Sequence, residues 1–302
     1  MPARAYVILL LAQLAIGAAA IFARLALTGS GPLMASTLRL CLATILIVSY
    51  RSFKKRLEAV SHRHEMLFAC AGLCLALHFA CWIASLQFTS VAISTLLVCT
   101  SPIWTALWDL TVGREKPKMQ FFLSFTLGAC GVYLIAFAPG GGTAVAVTST
   151  SSSQALLGDA LAASGGLAIA AYLIAVRRVS NTYTTSTIVV RTYAWASAAL
   201  ILLTLVSGEH LPTGPLSWGG ILAMALISQL LGHTAINQSL RWLSPSTVAM
   251  TTLLEPVLAA ISAAVLFHEA LTGQALCGSA LVLIALYGIL RGERKAGSEK
   301  QE

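Results

Sequence analysis

STVAMTTLLEPVLAAISAAVLF, residues 246–267, is an apolar run of 22 residues broken by one carboxylate and one proline. A helix needs about 20 apolar residues to cross a bilayer, so this run is long enough to span one. A carboxylate near the centre of such a span costs roughly 2.5–3.5 kcal/mol on insertion scales. Pro256 has no amide hydrogen, so the carbonyl of Thr252 loses its helical donor. Both defects survive in lipid only where they face protein or a wet cavity. Thr247, Thr251 and Glu255 recur at i, i+4 and i+8, with Ser262 seven residues further on, which makes one polar stripe on one helix face. The stripe predicts the wall of a path through the membrane.

The rest of the chain supports that setting. Its 302 residues are 57% hydrophobic and 10% charged, with a mean hydropathy of +0.82. A soluble domain carries about 25% charge, and no stretch here is long enough for a soluble catalytic domain. The formal net charge of +8 would suggest nucleic acid in a soluble protein. Here it is read as positive loops on one side of a membrane, with no nucleic-acid partner. The seven cysteines all lie in apolar runs, so no disulfide framework is expected. Cys74 and His78 have a spacing that a soft metal could use, but cysteine as a small packing residue is the simpler reading, and neither metal nor cofactor is expected.

Ten apolar spans follow: 6–27, 32–50, 66–86, 91–112, 119–138, 155–176, 185–206, 218–240, 246–267 and 272–291. Sixteen of the nineteen Lys and Arg fall at the termini or in the connections after spans two, four, six and eight. The connections on the other side hold none, which predicts that both termini are cytoplasmic. The three exceptions, Arg24, Arg39 and Arg191, lie inside spans.

The chain also repeats. At one ungapped offset of 154, Ser85-Leu86 meets Ser239-Leu240, Ser90 meets Ser244, Pro102 meets Pro256, Ala106 meets Ala260, Glu115 meets Glu269, Gln120 meets Gln274 and Tyr133 meets Tyr287. Arg39 and Arg191 pair at 152 if loop lengths absorb a slip of two. Each half has five spans, an odd number, so the second half enters the membrane inverted. The expected fold is an all-α membrane protein of ten transmembrane helices in two inverted five-helix repeats, 1–138 and 155–291. An uncharged Gly/Ser/Thr-rich external linker, 139–154, joins them, and 292–302 is a cytoplasmic tail.

These residues resemble the ten-helix EamA branch of the drug/metabolite transporter superfamily. The likeness rests on Thr89-Ser90 and a Ser/Thr-rich span ending in Ser101-Pro102, echoed by Leu243-Ser244-Pro245 running to Leu254-Glu255-Pro256. His268-Glu269 before the last helix, and Arg39 and Arg191 in the second helix of each half, complete it. One departure is Ser101, where the second half has Glu255. The resemblance implies a central cavity between helices one to four and six to nine, with five and ten peripheral. It also implies export of small metabolites or amino acids.

Polar stripes at helical spacing mark candidate walls of that cavity: Gln13, Gly17, Ala20 and Arg24; Cys74, His78, Trp82 and Ser85; Thr187, Arg191 and Trp195; Gln229, His233 and Asn237. Glu255 binds a substrate cation, exchanges a proton as the coupling group, or serves as a structural partner of Arg191 or Arg39. Arg39 and Arg191 present planar forks suited to a carboxylate, or hold a helix carbonyl or Glu255. His78 and His233 bind substrate or brace a neighbouring helix. Trp82 and Trp104 offer stacking faces, Trp108 is a stacking face or an interface anchor, and Tyr172 is a further candidate. Ser124 and Gly128 form a small-xxx-small pair, read first as packing within the chain and second as a homodimer contact. The basic run 51–56 is read as a topology signal first and anionic-lipid contact second.

A secondary transporter in the cytoplasmic (inner) membrane, working on a small-molecule substrate by alternating access, is the expected function. The chain has no GxxxxGK[ST] loop, so transport is gradient-driven, by exchange or downhill. It has no HExxH, GxSxG or paired-aspartate motif for an intramembrane enzyme. A nucleotide-sugar or cationic-drug carrier, and a non-transporting receptor or scaffold, are the alternatives.

Overall fold

In oil every backbone polar group must find its partner within the segment, so apolar runs of this length fold as helices. The computed structural model describes residues 3–53, 58–113, 117–138, 152–267 and 272–299. Numbered in chain order, the spans are α1 (Arg4–Ala26), α2 (Pro32–Ser52), α3 (His62–Ser85), α4 (Val91–Thr111), α5 (Met119–Ala136), α6 (Ser152–Val179), α7 (Thr185–Ser207), α8 (Pro215–Ser239), α9 (Pro245–Ile261) and α10 (Gly273–Gly292). Among the described residues nine are long and apolar enough to cross a membrane, and α9 is the shorter tenth, its helix running on to Phe267. Lys54–Arg56, Arg114-Glu115-Lys116, most of the linker (139–151) and His268-Glu269 lie outside the described residues.

Helix starts follow local chemistry. Ser61, Ser90, Thr184 and Ser244 each accept a hydrogen bond from the backbone N–H three residues on, capping α3, α4, α7 and α9. Ser90 and Ser244 are partners at the 154-residue offset, so the repeat extends to the caps.

Several spans are interrupted. Helix α4 breaks between Val98 and Ser101, and α9 between Thr251 and Leu254. Each break precedes a proline by a few residues, and the two overlap at the repeat offset. The carbonyl of Thr252, deprived of its donor by Pro256, accepts from the Glu255 N–H at 2.9 Å and from Cys99 Sγ at 3.4 Å. One broken helix therefore satisfies the other. Helix α1 breaks at Ala18, next to Gly17, where a Cβ would come within 2.6 Å of Leu258 on α9. Helix α8 widens to a π-helix over Met224–His233. The expected α-helical spacing of Gln229, His233 and Asn237 is therefore replaced by a wider turn.

Helices α5 and α10 pack against each other at the flank. Gln120 Nε2 donates to the Gly288 carbonyl at 2.6 Å, and Gln274 Nε2 to the Leu134 carbonyl at 3.1 Å. At the 154-residue offset these are the same bond made twice, the mark of a pseudo-twofold axis. A Cβ on Gly131 would come 2.5 Å from the Gly278 carbonyl oxygen, and a Cβ on Gly278 equally close to that of Gly131. Gly128 faces Leu253 and Ala285, and Ser124 faces Gly288, so the small-residue stripe of α5 serves packing within the chain.

Gly131→Val should force α5 and α10 apart, at a cost of about 1–3 kcal/mol. Gly219→Val, at a position with nothing within 4 Å, is the control and should leave the melting temperature unchanged. Thermal unfolding in one detergent compares the two.

Candidate functional site

Where the interrupted helices meet there is a small chamber of about 40 Å³. Its polar wall is Arg39 from α2, His78 and Trp82 from α3, Ser101 from α4, His233 from α8, and Thr252 and Glu255 from α9. Apolar wall comes from α1 through Ile16 and Ala19, and from α6 through Ile169 and Leu173.

Arg39 is fully buried. Its Nε donates to Gln229 Oε1 at 2.9 Å. Its guanidinium lies 3.9 Å from the Phe79 ring centroid and 6.0 Å from that of Trp82. Nη1 and Nη2 are buried without a hydrogen-bond partner. Among the described residues neither a salt bridge nor a hydrogen bond joins Arg39 to Glu255. The arginine is thus anchored through Nε, and no protein acceptor meets Nη1 or Nη2 among the described residues.

The aromatic groups are fixed by their neighbours. His78 Nδ1 lies 2.9 Å from the Gly165 carbonyl. A carbonyl only accepts, so Nδ1 carries the proton and Nε2 is left as the ring's second site. The His78 and Trp82 rings stack at 6.1 Å and 4°. Phe79 meets the His233 ring edge-on at 5.1 Å, and these two positions are partners at the repeat offset, so the contact marks the pseudo-axis. His233 Nδ1, Ser101 Oγ, Gln229 Nε2 and Asn237 Nδ2 are buried and unpartnered. A cluster of unsatisfied polar atoms of this kind in a membrane core requires an explanation, and a polar occupant supplies one.

Beyond the chamber, at the end where α1 starts, hydrogen bonds tie the helix ends together. There Arg51 donates to Thr187 at 3.0 Å and also to Ser186. His64 Nδ1 and the Tyr183 hydroxyl lie 2.9 Å apart, and Ser246 donates to Asp109 Oδ2 at 2.6 Å. At the other end a larger cavity of about 600 Å³ adjoins it. Ala19 and Glu255 face the small chamber while their neighbours Ala20 and Pro256 face the large one, so the two share a wall.

Two inverted halves around a polar centre invite comparison with known proteins. The EamA-like transporter family matches residues 3–137 and again residues 156–291. The chain belongs to the EamA-like transporter family. A relative in Archaeoglobus fulgidus, described as an uncharacterized transporter, is 24% identical over 276 residues, covering 89% of this chain and 91% of that protein. A solved crystal structure superposes with a TM-score of 0.79 over 98% of this chain and 99% of its own, at 14% identity, a likeness of fold alone.

Within this EamA-like transporter the expected site residues divide. Arg39, His78, Trp82, His233 and Glu255 share the chamber. Tyr172 and Asn237 form a buried pair, hydroxyl donating to Oδ1 at 2.8 Å. Trp104 and Trp108 lie away from the chamber's described lining. The Trp104 indole Nε1 is buried and unpartnered, and Trp108 packs under Arg178 at 5.1 Å.

Arg191 stands apart from the chamber's described lining. It lies 42% exposed and pairs with Glu65 at 3.4 Å, whose other oxygen accepts from Trp195 Nε1 at 2.8 Å. Helix α7 gives nothing to the chamber lining, although it was expected to. The physical reason is the inversion itself. Arg39 is seven residues from the start of α2 and Arg191 six from the start of α7, about 10 Å from opposite ends of the bundle. At the unslipped offset of 154, Arg39 pairs instead with Tyr193, which is fully buried and donates to the Gln229 carbonyl at 3.3 Å. Phe79, Gln229 and Tyr193 were missed as members of the site, though Gln229 was visible in the α8 stripe.

Arg191→Gln should therefore cost no more than about 1 kcal/mol, as expected of a partly exposed ion pair. It should leave solute binding to purified protein intact, whereas Arg39→Gln should abolish it; a binding titration on both variants makes the comparison.

Proposed function

We propose that the chain is a secondary transporter of small zwitterionic solutes, amino acids among them, working by alternating access around the Arg39–Glu255 chamber. The observation that carries the reading is the free fork of Arg39 in the same chamber as Glu255, with no bond between them. A carboxylate on the solute fills the fork in bidentate fashion, and an amine on the solute faces Glu255. Both charges of a zwitterion are then met. A nucleotide sugar brings more negative charge than the one arginine of the chamber lining answers.

Alternating access draws support from the interrupted helices at the repeat interface, the arrangement in which such transporters bind near the midplane. It draws more from helix ends bonded together on one side of the chamber and a larger cavity adjoining it on the other. The positive connections support cytoplasmic termini and an inner-membrane location, which on this reading puts the 600 Å³ cavity on the outer side. Export is the direction the family likeness favours. Glu255 is the coupling group in this scheme, releasing its proton as the solute amine arrives.

In proteoliposomes with an imposed pH gradient, Glu255→Gln should remove the gradient's effect on amino-acid flux, and full activity with unchanged pH dependence would overturn the coupling role. Arg39→Lys keeps the charge but loses the fork, and should weaken solute binding by about 2 kcal/mol or more.

A further inference from the structure

Arg24 has no role in the scheme above. It sits on α1, five residues past Ala19, about 7.5 Å along the helix axis from the central chamber. It lines the large outer cavity. Its Nε and Nη2 are buried and have no hydrogen-bond partner. Among the described residues no acidic side chain lines the cavity. The walls are mostly alkyl, with Ile21, Leu25, Leu86 and Val91 prominent, and Thr28, Gln87 and Thr95 add polar groups. At about 600 Å³ the space has the size of a small-molecule site.

Arg24 is half-buried, and guanidinium nitrogens that are buried without an acceptor, as its Nε and Nη2 are, are costly; a guanidinium fork matches a carboxylate or phosphate in two parallel hydrogen bonds. Alkyl walls around it leave room for an apolar body. We infer that the outer cavity is a second binding station, with Arg24 as the receptor for an acidic group carried on an apolar body. That group is the acid end of a free amphipathic solute or the headgroup of an acidic lipid; the chemistry of the site is the same for both. The station's place on a transport path rests on the reading under Proposed function, but its binding chemistry does not.

The test uses the full chain in phosphatidylcholine nanodiscs, with octanoate and octylammonium as probes of equal tail and opposite charge. Octanoate should raise the melting temperature of the wild-type protein and of Glu255→Gln, and octylammonium should not. For Arg24→Gln the apparent Kd for octanoate should rise at least tenfold, about 1.4 kcal/mol. Equal shifts from the two probes on wild-type protein would overturn the station even if Arg24→Gln failed to fold. So would undiminished octanoate binding by a folded Arg24→Gln. Nanodiscs containing phosphatidylglycerol separate the two sources: an Arg24-dependent stabilisation by that lipid, blocking octanoate, assigns the site to a headgroup, and octanoate binding unaffected by it assigns the site to a free solute. Loss of Arg39-dependent flux with the Arg24-dependent shift intact strikes the transport reading alone, and the converse strikes only the station.

Discussion

A guanidinium in the middle of ten apolar helices must be either answered or used. Arg39 is anchored at its Nε by Gln229 and covered on one face by Phe79, which leaves the rest of its hydrogen-bonding capacity pointing into a hollow. Everything around it keeps that hollow open. The breaks in α1, α4 and α9 and the π-helix in α8 converge on it. The Thr252 carbonyl, deprived of its usual donor by Pro256, accepts from the Glu255 N–H and from the Cys99 thiol, so the backbone bends with that carbonyl still bonded. Unsatisfied groups in hydrocarbon are expensive, and Arg39 Nη1 and Nη2, Ser101 Oγ and His233 Nδ1 all lie on residues that line the one chamber.

The two halves supply this site unequally. Their scaffold is symmetric: Gln120 and Gln274 make one bond twice, and Phe79 meets His233 across the axis. The chemistry is not. Glu255 has Ser101 as its counterpart at the repeat offset, and Arg39 has Tyr193. Symmetric packing is what the proposed rocking of the two halves requires, and asymmetric side chains suit the single binding pose proposed above.

Much of this was legible in the chain. Bilayer thickness fixes span length, so ten helices could be read from hydropathy alone, and an odd number per repeat forces the inversion. Glu255-Pro256 announced a break because proline and a buried charge are both penalised in lipid. Arg191 was misread because pairing two arginines by type tolerated a slip of two, which turns a side chain by about 200° on a helix; the offset that fits every other pair lands on Tyr193. The π-helix could not be read, since Gln229, His233 and Asn237 fit an ordinary helix. It rests on tertiary bonds, from Ser228 to the Ala15 carbonyl and from Tyr193 to that of Gln229.

The central claim is that Arg39 and Glu255 are held apart to receive a solute between them. A structure determined in lipid with a transported amino acid at saturating concentration tests it most directly. The solute carboxylate should lie within hydrogen-bond distance of Arg39 Nη1 and Nη2, with its amine towards Glu255. A chamber collapsed into a direct Arg39–Glu255 salt bridge, with the solute bound elsewhere, would contradict the account.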